Sequence, residues 1–148
     1  MFTIRVQKLP HCPSLPRYET IGAAGMDIRA AVDKPKKIHP GERFGVPTGL
    51  IFEIPGGYEG QLRARSGLAL KAGLTLVNGV GTIDSDYRGE VFVLIINHGQ
   101  QPYTIEPGER IAQLVVMPIP KITLEQVEEI EKNQERGESG FGSTGKVD

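Results

Sequence analysis

The sequence predicts a single all-β domain of many short strands, arranged as a sandwich, a jelly roll or a closed barrel. Three observations carry that prediction. Apolar residues recur at every second position, or in runs too short for a long helix. Glycine (19) and proline (11) are plentiful among 148 residues, as tight turns between short strands require. Only one interior segment carries both helix start and helix stop signals. Tryptophan is absent and aromatic residues make up 6% of the chain, so the core must rest on valine, isoleucine and leucine. The length suits one domain that can bury a real core.

The elements follow in order. Ile4 and Val6 open an alternating segment, the first strand. A loop over residues 11–20, punctuated by Pro13 and Pro16, leads to a strand over residues 26–31. Phe44, Val46, Thr48, Leu50, Phe52 and Ile54 repeat with period two and predict one continuous buried face. Pro55-Gly56-Gly57 ends it, and residues 58–65 form the next strand. Ser66 reads as an N-cap, Leu68, Ala69 and Leu70 as helix formers, and Gly73 as a stop, so a helix of about two turns covers residues 66–72. Residues 74–77 and 82–83 flank the turn Asn78-Gly79-Val80-Gly81, a hairpin signal. Residues 91–97 are almost wholly apolar, hence a buried strand, and residues 103–105 and 111–117 complete the set. Pro40-Gly41-Glu42-Arg43 and Pro107-Gly108-Glu109-Arg110 share one tetrapeptide, and Pro then Gly suits the two central positions of a type II turn. Their flanks differ, so this is shared turn chemistry and not a duplicated domain. The body ends near Val127, and residues 128–148 form a charged and then glycine-rich tail, although Thr123, Leu124, Val127 and Ile130 also fit a short helix.

Composition excludes several classes of function. A formal net charge of −1 argues against nucleic acid as a partner, and no basic amphipathic stretch points to a membrane. No segment approaches transmembrane length, and residues 1–9 lack the apolar run of a signal peptide. Cys12 is the only cysteine, which rules out an internal disulfide and makes a reducing cytoplasm the expected location. His11, His39 and His98 show no metal-ligand spacing and receive no role.

Five segments carry chemistry. Arg65-Ser66-Gly67 opens the short helix, where free N–H groups and the dipole favour anions; the same residues also read as a plain cap with a surface ion pair. Residues 82–90, Thr-Ile-Asp-Ser-Asp-Tyr-Arg-Gly-Glu, follow the hairpin directly. Asp84, expected to point inward from a strand end, could take a proton from water, and Tyr87 offers a flat ring to a sugar. Asp86 and Glu90 read as solvated charges. Asp27 and Gln113 stand among apolar neighbours and need partners, either nearby backbone or a ligand. The tail, with Arg136, Phe141, Gly142, Ser143 and Thr144, cannot bury enough surface to fold alone. It is either a frayed end or a lid that orders over a nucleotide, with Arg136 on phosphate and Phe141 stacked on a base. Gly140 to Lys146 approaches a phosphate-loop pattern, but Val147 stands where Ser or Thr should hold Mg²⁺, and no helix follows.

Taken in order, these segments resemble the five motifs of the trimeric deoxyuridine triphosphatases (dUTPases), from about Gly22 to Gly145. The first is Gly25-Met26-Asp27-Ile28 and the second Arg65-Ser66-Gly67-Leu68-Ala69. The third is Asn78 with residues 81–89, the fourth residues 107–113, and the fifth Arg136-Gly137 with residues 140–145. Ala64 departs from the proline that many members carry before Arg-Ser-Gly. The resemblance implies a distorted jelly roll or β-barrel of the β-clip kind with a flexible tail. It implies a homotrimer that shares its active sites between chains, the tail closing over a neighbour's site. It also implies hydrolysis of dUTP to dUMP and pyrophosphate, which limits uracil incorporation into DNA and supplies dUMP for thymidylate synthesis.

Asp84 would activate the water, and Mg²⁺ would sit on the substrate phosphates with at most a water-mediated link to Asp27. Arg65, Ser66, Gly67 and Gln113 would hold phosphates and water; Arg136, Gly142, Ser143 and Thr144 would close on the outer phosphates. Asn78 and the backbone of Gly81, Thr82 and Ile83 would match the polar edge of uracil, and Tyr87 would exclude a 2′-hydroxyl. The rivals are a dCTP deaminase of the same fold and a nucleotide-binding module without catalysis.

Overall fold

The computed structural model describes residues 3–130. Eleven strands and one helix run in the order β1 (Arg5–Lys8), β2 (Met26–Arg29), β3 (Lys36–Ile38), β4 (Arg43–Pro47), β5 (Leu50–Glu53), β6 (Tyr58–Ala64), α1 (Ser66–Ala72), β7 (Leu74–Leu76), β8 (Gly81–Ile83), β9 (Phe92–Asn97), β10 (Tyr103–Ile105) and β11 (Arg110–Pro118). Every strand pair among them is antiparallel. The strands form a four-stranded sheet β2-β11-β6-β8, a three-stranded sheet β4-β9-β7, and the pairs β1-β5 and β3-β10. The all-β expectation holds, with one short helix; the sheets wrap one core in jelly-roll manner without closing into a barrel.

That core is aliphatic, as the composition required. Ile28, Ile38, Val46, Leu50, Leu74, Val93, Ile95, Ile105, Ile111 and Leu114 are buried, with Phe52 beside them. Both Pro-Gly-Glu-Arg segments form the same turn. The amide of Glu42 donates to the His39 carbonyl at 2.9 Å and that of Glu109 to Glu106 at 3.1 Å, with Gly41 and Gly108 at φ of 79° and 77°. Only glycine enters that region without strain, which is why both tetrapeptides carry it. In each turn the glutamate carboxylate also accepts the backbone N–H three residues back, at 2.9 Å.

The structure corrects several local expectations. The period-two run from Phe44 to Ile54 buries its alternate residues from Val46 onward, but it is two strands in different sheets. The break falls at Thr48-Gly49, where Gly49 takes a φ of 67°. β7 and β8 flank the predicted hairpin turn yet pair elsewhere, β7 with β9 and β8 with β6. β9 is buried on one side only, leaving Phe92 and Leu94 exposed in the single chain. β3 gave no sequence signal, since it holds one apolar residue in three. Arg65, not Ser66, is the extended N-cap of α1, and the helix stops at Gly73 in the left-handed region as expected. The last strand ends at Pro118, and residues 119–130 form neither strand nor helix, so no short helix occupies 123–130.

Candidate active site

The four-stranded sheet gathers the first group of predicted residues. Strand alternation sends Ile28, Leu62, Ala112 and Leu114 inward. Asp27, Gln113 and Arg63 therefore stand in register on the opposite face of three adjacent strands. The register of β11 against β2 shifts between Arg110 and Ala112. The extra residue restores Arg110 to the face of Gln113, although three positions separate them, as a bulge does when it re-aims a side chain.

On that face Asp27 is answered by two guanidinium groups. Its Oδ1 lies 3.2 Å from Arg65 Nε and its Oδ2 lies 3.4 Å from Arg110 Nη1. Arg110 also reaches Glu19 at 3.7 Å, and Glu19 takes Arg17 at 3.4 Å. Arg65 Nη1 donates to the Arg110 carbonyl at 2.9 Å. The partner that a half-buried carboxylate needs is thus charged, and the backbone alternative does not apply to Asp27. Gln113 Nε2 donates to the Ala64 carbonyl at 3.1 Å, and its other end lies over Gly25. Ser66 and Gly67 are exposed at the first turn of α1, which has no side-chain cap.

Tyr103 belongs to the same neighbourhood and was not foreseen. It lines a cavity of about 800 Å³ with Arg65 and residues 67–72 of α1, Ser66 not among them. Its hydroxyl donates to Glu109 in a short hydrogen bond. Burial, and then that bond to a carboxylate, push the Tyr103 phenol up to about 12.

The second group lies in another cavity, of about 250 Å³, lined by Asn78, Gly81, Thr82, Ile83, Asp84 and Tyr87. Ile83 is the residue that turns into the core; Asp84 follows β8 and is exposed at the cavity rim, so the expected inward carboxylate faces outward in the single chain. The loop that carries it is tightly made. The Tyr87 amide donates to the Asp84 carbonyl at 3.2 Å, and the Tyr87 hydroxyl donates to the Glu90 carbonyl at 2.9 Å. Arg88 Nη1 donates to the carbonyls of Ser85 and Tyr87 at 2.7 and 2.8 Å. The Tyr87 ring lies across Gly89, where any side chain would collide with it.

Glu90 is not a solvated charge. Its Oε1 accepts the Gly49 amide at 2.8 Å and lies 2.8 Å from His11 Nε2. Burial pushes the Glu90 carboxyl up, but the hydrogen bonds from His11 and Gly49 outweigh it and hold it below the usual range. No sequence signal marks the His11–Glu90 contact, since 79 positions separate the partners.

The two groups do not converge within one chain. Asp27 lines a third cavity with Ser14, Arg17, Glu19 and Arg29, while Arg65 and Asp84 line the other two. Arg136, Phe141, Gly142, Ser143 and Thr144 lie outside the described residues. Among the described residues no three His, Cys, Asp or Glu side chains cluster to hold a metal ion, and no helix is long and apolar enough to cross a membrane.

Known proteins are similar to this chain in sequence and in fold. The family model for dUTPase matches residues 13–145. A deoxyuridine 5′-triphosphate nucleotidohydrolase of Methylocella silvestris is 54% identical over 147 residues, covering 97% of this chain and 91% of the relative. The protein of the same name from Anaeromyxobacter sp. is 58% identical over 132 residues, covering 89% and 88%. The Staphylococcus bacteriophage 80alpha dUTPase, solved with dUpNHpp, is 34% identical, covers 98% of this chain and 99% of its own, and superposes with a TM-score of 0.88. A mutant dUTPase from phage phi11 of S. aureus, solved to describe coordination of a structural Mg(II) ion, is 28% identical over 86% of this chain and 98% of its own, with a TM-score of 0.78. With the family model spanning nearly all of the chain and relatives above 50% identity along it, the chain belongs to the dUTPase family.

Proposed function

We propose that this chain hydrolyses dUTP to dUMP and pyrophosphate, with Asp84 as the base that activates the attacking water. One observation carries the reading: Asp84 stands at the rim of a small cavity beside Tyr87, Asn78 and the backbone of β8. The cavity is of a size for a base and part of a sugar, and its polar groups suit the edge of uracil. Asp84 removes a proton as the water oxygen bonds to the α-phosphorus, and the bond from that phosphorus to the bridging oxygen breaks as pyrophosphate leaves. Tyr87 sits under the deoxyribose and leaves no room for a 2′-hydroxyl. Arg65, Ser66, Gly67 and Gln113 bind the phosphates, and Arg136, Phe141, Gly142, Ser143 and Thr144 close the site from the tail.

Mg²⁺ fits this donor set as a substrate-borne ion. Asp27 already gives one oxygen to Arg65 and the other to Arg110, which leaves it lone pairs for water and not for a protein cage. When bound on the triphosphate, the ion neutralises charge that would repel the water activated by Asp84. The separation of the two groups within one chain supports a homotrimer in which Asp84 of one subunit meets Arg65 of another. A deaminase or a non-catalytic module has no comparable support from Asp84 and Tyr87.

The test is pyrophosphate release from dUTP, dCTP, dTTP and UTP, with Mg²⁺ and with EDTA. Mg²⁺-dependent release from dUTP alone is expected. Asp84→Asn should lower kcat by about 10²–10⁴-fold while dUTP still binds. Near-normal turnover in that variant would remove Asp84 from the mechanism. Refolding Asp84→Asn together with Arg65→Ala should restore activity in mixed trimers, and a mixture as inactive as its parents counts against shared sites.

A further inference from the structure

Glu90 ends the loop that carries Asp84 and Tyr87, and it is held from two directions. Its neighbour Val91 is tied to the crossover between β4 and β5: the Val91 amide donates to Leu50 at 2.9 Å, and Thr48 Oγ1 donates to the Val91 carbonyl at 2.7 Å. The Glu90 carboxylate takes the Gly49 amide and His11 Nε2, each at 2.8 Å. His11 is itself fixed, because the Cys12 amide donates to Leu9 at 3.0 Å and the Leu9 amide donates to Gly49 at 2.8 Å. The adjacent Cys12 side chain is buried. Gly49 is thus a junction: its carbonyl holds the turn that presents His11, and its amide holds the carboxylate that His11 meets. The backbone carbonyl of the same Glu90 accepts the Tyr87 hydroxyl. The position of Glu90 therefore sets the height of the Tyr87 ring, which lies over Gly89 with no side chain to support it.

We propose that the His11–Glu90 pair is a positioning clamp for Tyr87, and that it sets how strictly the site selects a 2′-deoxyribose over a ribose. The inference rests on the reaction proposed above. Glu90 lines the wall of the cavity that Asp84 and Tyr87 share, and His11 lies outside it; the pair acts through the ring that faces the sugar. Loss of His11 removes the one side-chain partner of the carboxylate and leaves it to the backbone of Gly49 and Thr48. The ring is then no longer pressed against the position of a 2′-hydroxyl, so UTP gains and dUTP loses. Charge-assisted hydrogen bonds of this kind are strong enough for an effect of about tenfold.

The experiment uses the full chain and the variants His11→Ala, Glu90→Gln and His11→Gln. It measures kcat and KM for dUTP and UTP, with hydrogen exchange of the amides of residues 84–90 in the absence of nucleotide. His11→Ala and Glu90→Gln should lower the dUTP/UTP ratio of kcat/KM about tenfold, chiefly through a higher KM for dUTP, and should speed exchange in 84–90 but not in β9. His11→Gln keeps an N–H within reach of the carboxylate and should recover most of the ratio. An unchanged ratio overturns the proposal, even if exchange quickens, because Glu90 would then be structural only. Should the unaltered chain fail to hydrolyse dUTP, the reading of the reaction fails, and exchange alone decides the clamp. Faster exchange confined to 84–90 in His11→Ala then supports it, and unaltered exchange overturns it.

Discussion

Asn97 offers a test of how the active-site scaffold is held. It lies at the end of β9 and is wholly buried. Its Nδ2 donates to the carbonyls of Ile38 and Gln101 at 3.0 and 2.9 Å, and its Oδ1 accepts the Gly99 amide at 2.8 Å. The side chain thus joins the end of β3 to the turn before β10. The next residue, His98, donates its amide to the Gly73 carbonyl at 2.9 Å, at the end of the helix that presents Ser66 and Gly67. Asn97→Asp changes no volume, so it creates no cavity. One oxygen keeps the Gly99 bond, and the other faces two carbonyl oxygens that have lost their donors. Each orphaned buried acceptor costs about 1–3 kcal/mol, and burying the carboxyl as a charge adds to this. The expected loss is about 3–5 kcal/mol near neutral pH. The introduced carboxyl has its folded pKa raised, because only its protonated form can donate to a carbonyl. The loss should therefore shrink as pH falls towards that pKa. Urea unfolding at fixed protein concentration, at pH 7 and pH 5, measures both effects. A loss under about 1 kcal/mol at pH 7, against the usual range for such groups, would refute the reasoning.

Other outcomes follow from the same geometry. Asp27→Asn releases Arg65 and Arg110 from their shared carboxylate, so kcat/KM for dUTP should fall at least tenfold; because these ion pairs are partly exposed, stability should change by less than about 1 kcal/mol in urea unfolding. The chain has four tyrosines, and in an alkaline absorbance titration one should ionise late, near 12, with Tyr103→Phe removing that step. Its folded pKa lies above the unfolded value of about 10, so its contribution to stability is complete below pH 10 and is lost as pH rises towards 12. Deleting residues 134–148 should abolish dUTP turnover yet leave the thermal transition of the body in place, since no described strand extends past Pro118; full activity would remove the closing role of the tail.

Much of the local structure was legible in the sequence because it is set by near neighbours. The two Pro-Gly-Glu-Arg turns, the stop at Gly73, the strands expected at 58–65 and 111–117 and observed within a residue of those bounds, and the Asn78–Gly89 motif are each specified by residues within a few positions of one another. Backbone preference and side-chain period act over that range. Glu90, Arg110 and His11 show where that range ends. Glu90 closed the 82–90 segment just past the third motif and read as a solvated charge, and Arg110, inside the fourth, read as part of a turn. His11 read as nothing, because its partner is 79 residues away.

Composition and pattern determined an all-β body, an aliphatic core and one short helix, and they named candidates for the chemistry. Tertiary structure alone decided that β4 and β5 part at Gly49 into different sheets, that β7 and β8 choose other partners, and that a register shift brings Arg110 to Asp27. A strand's period fixes which residues share a face. It does not fix which strand lies alongside, because that choice depends on how distant segments jointly satisfy their backbone hydrogen bonds and bury their apolar sides.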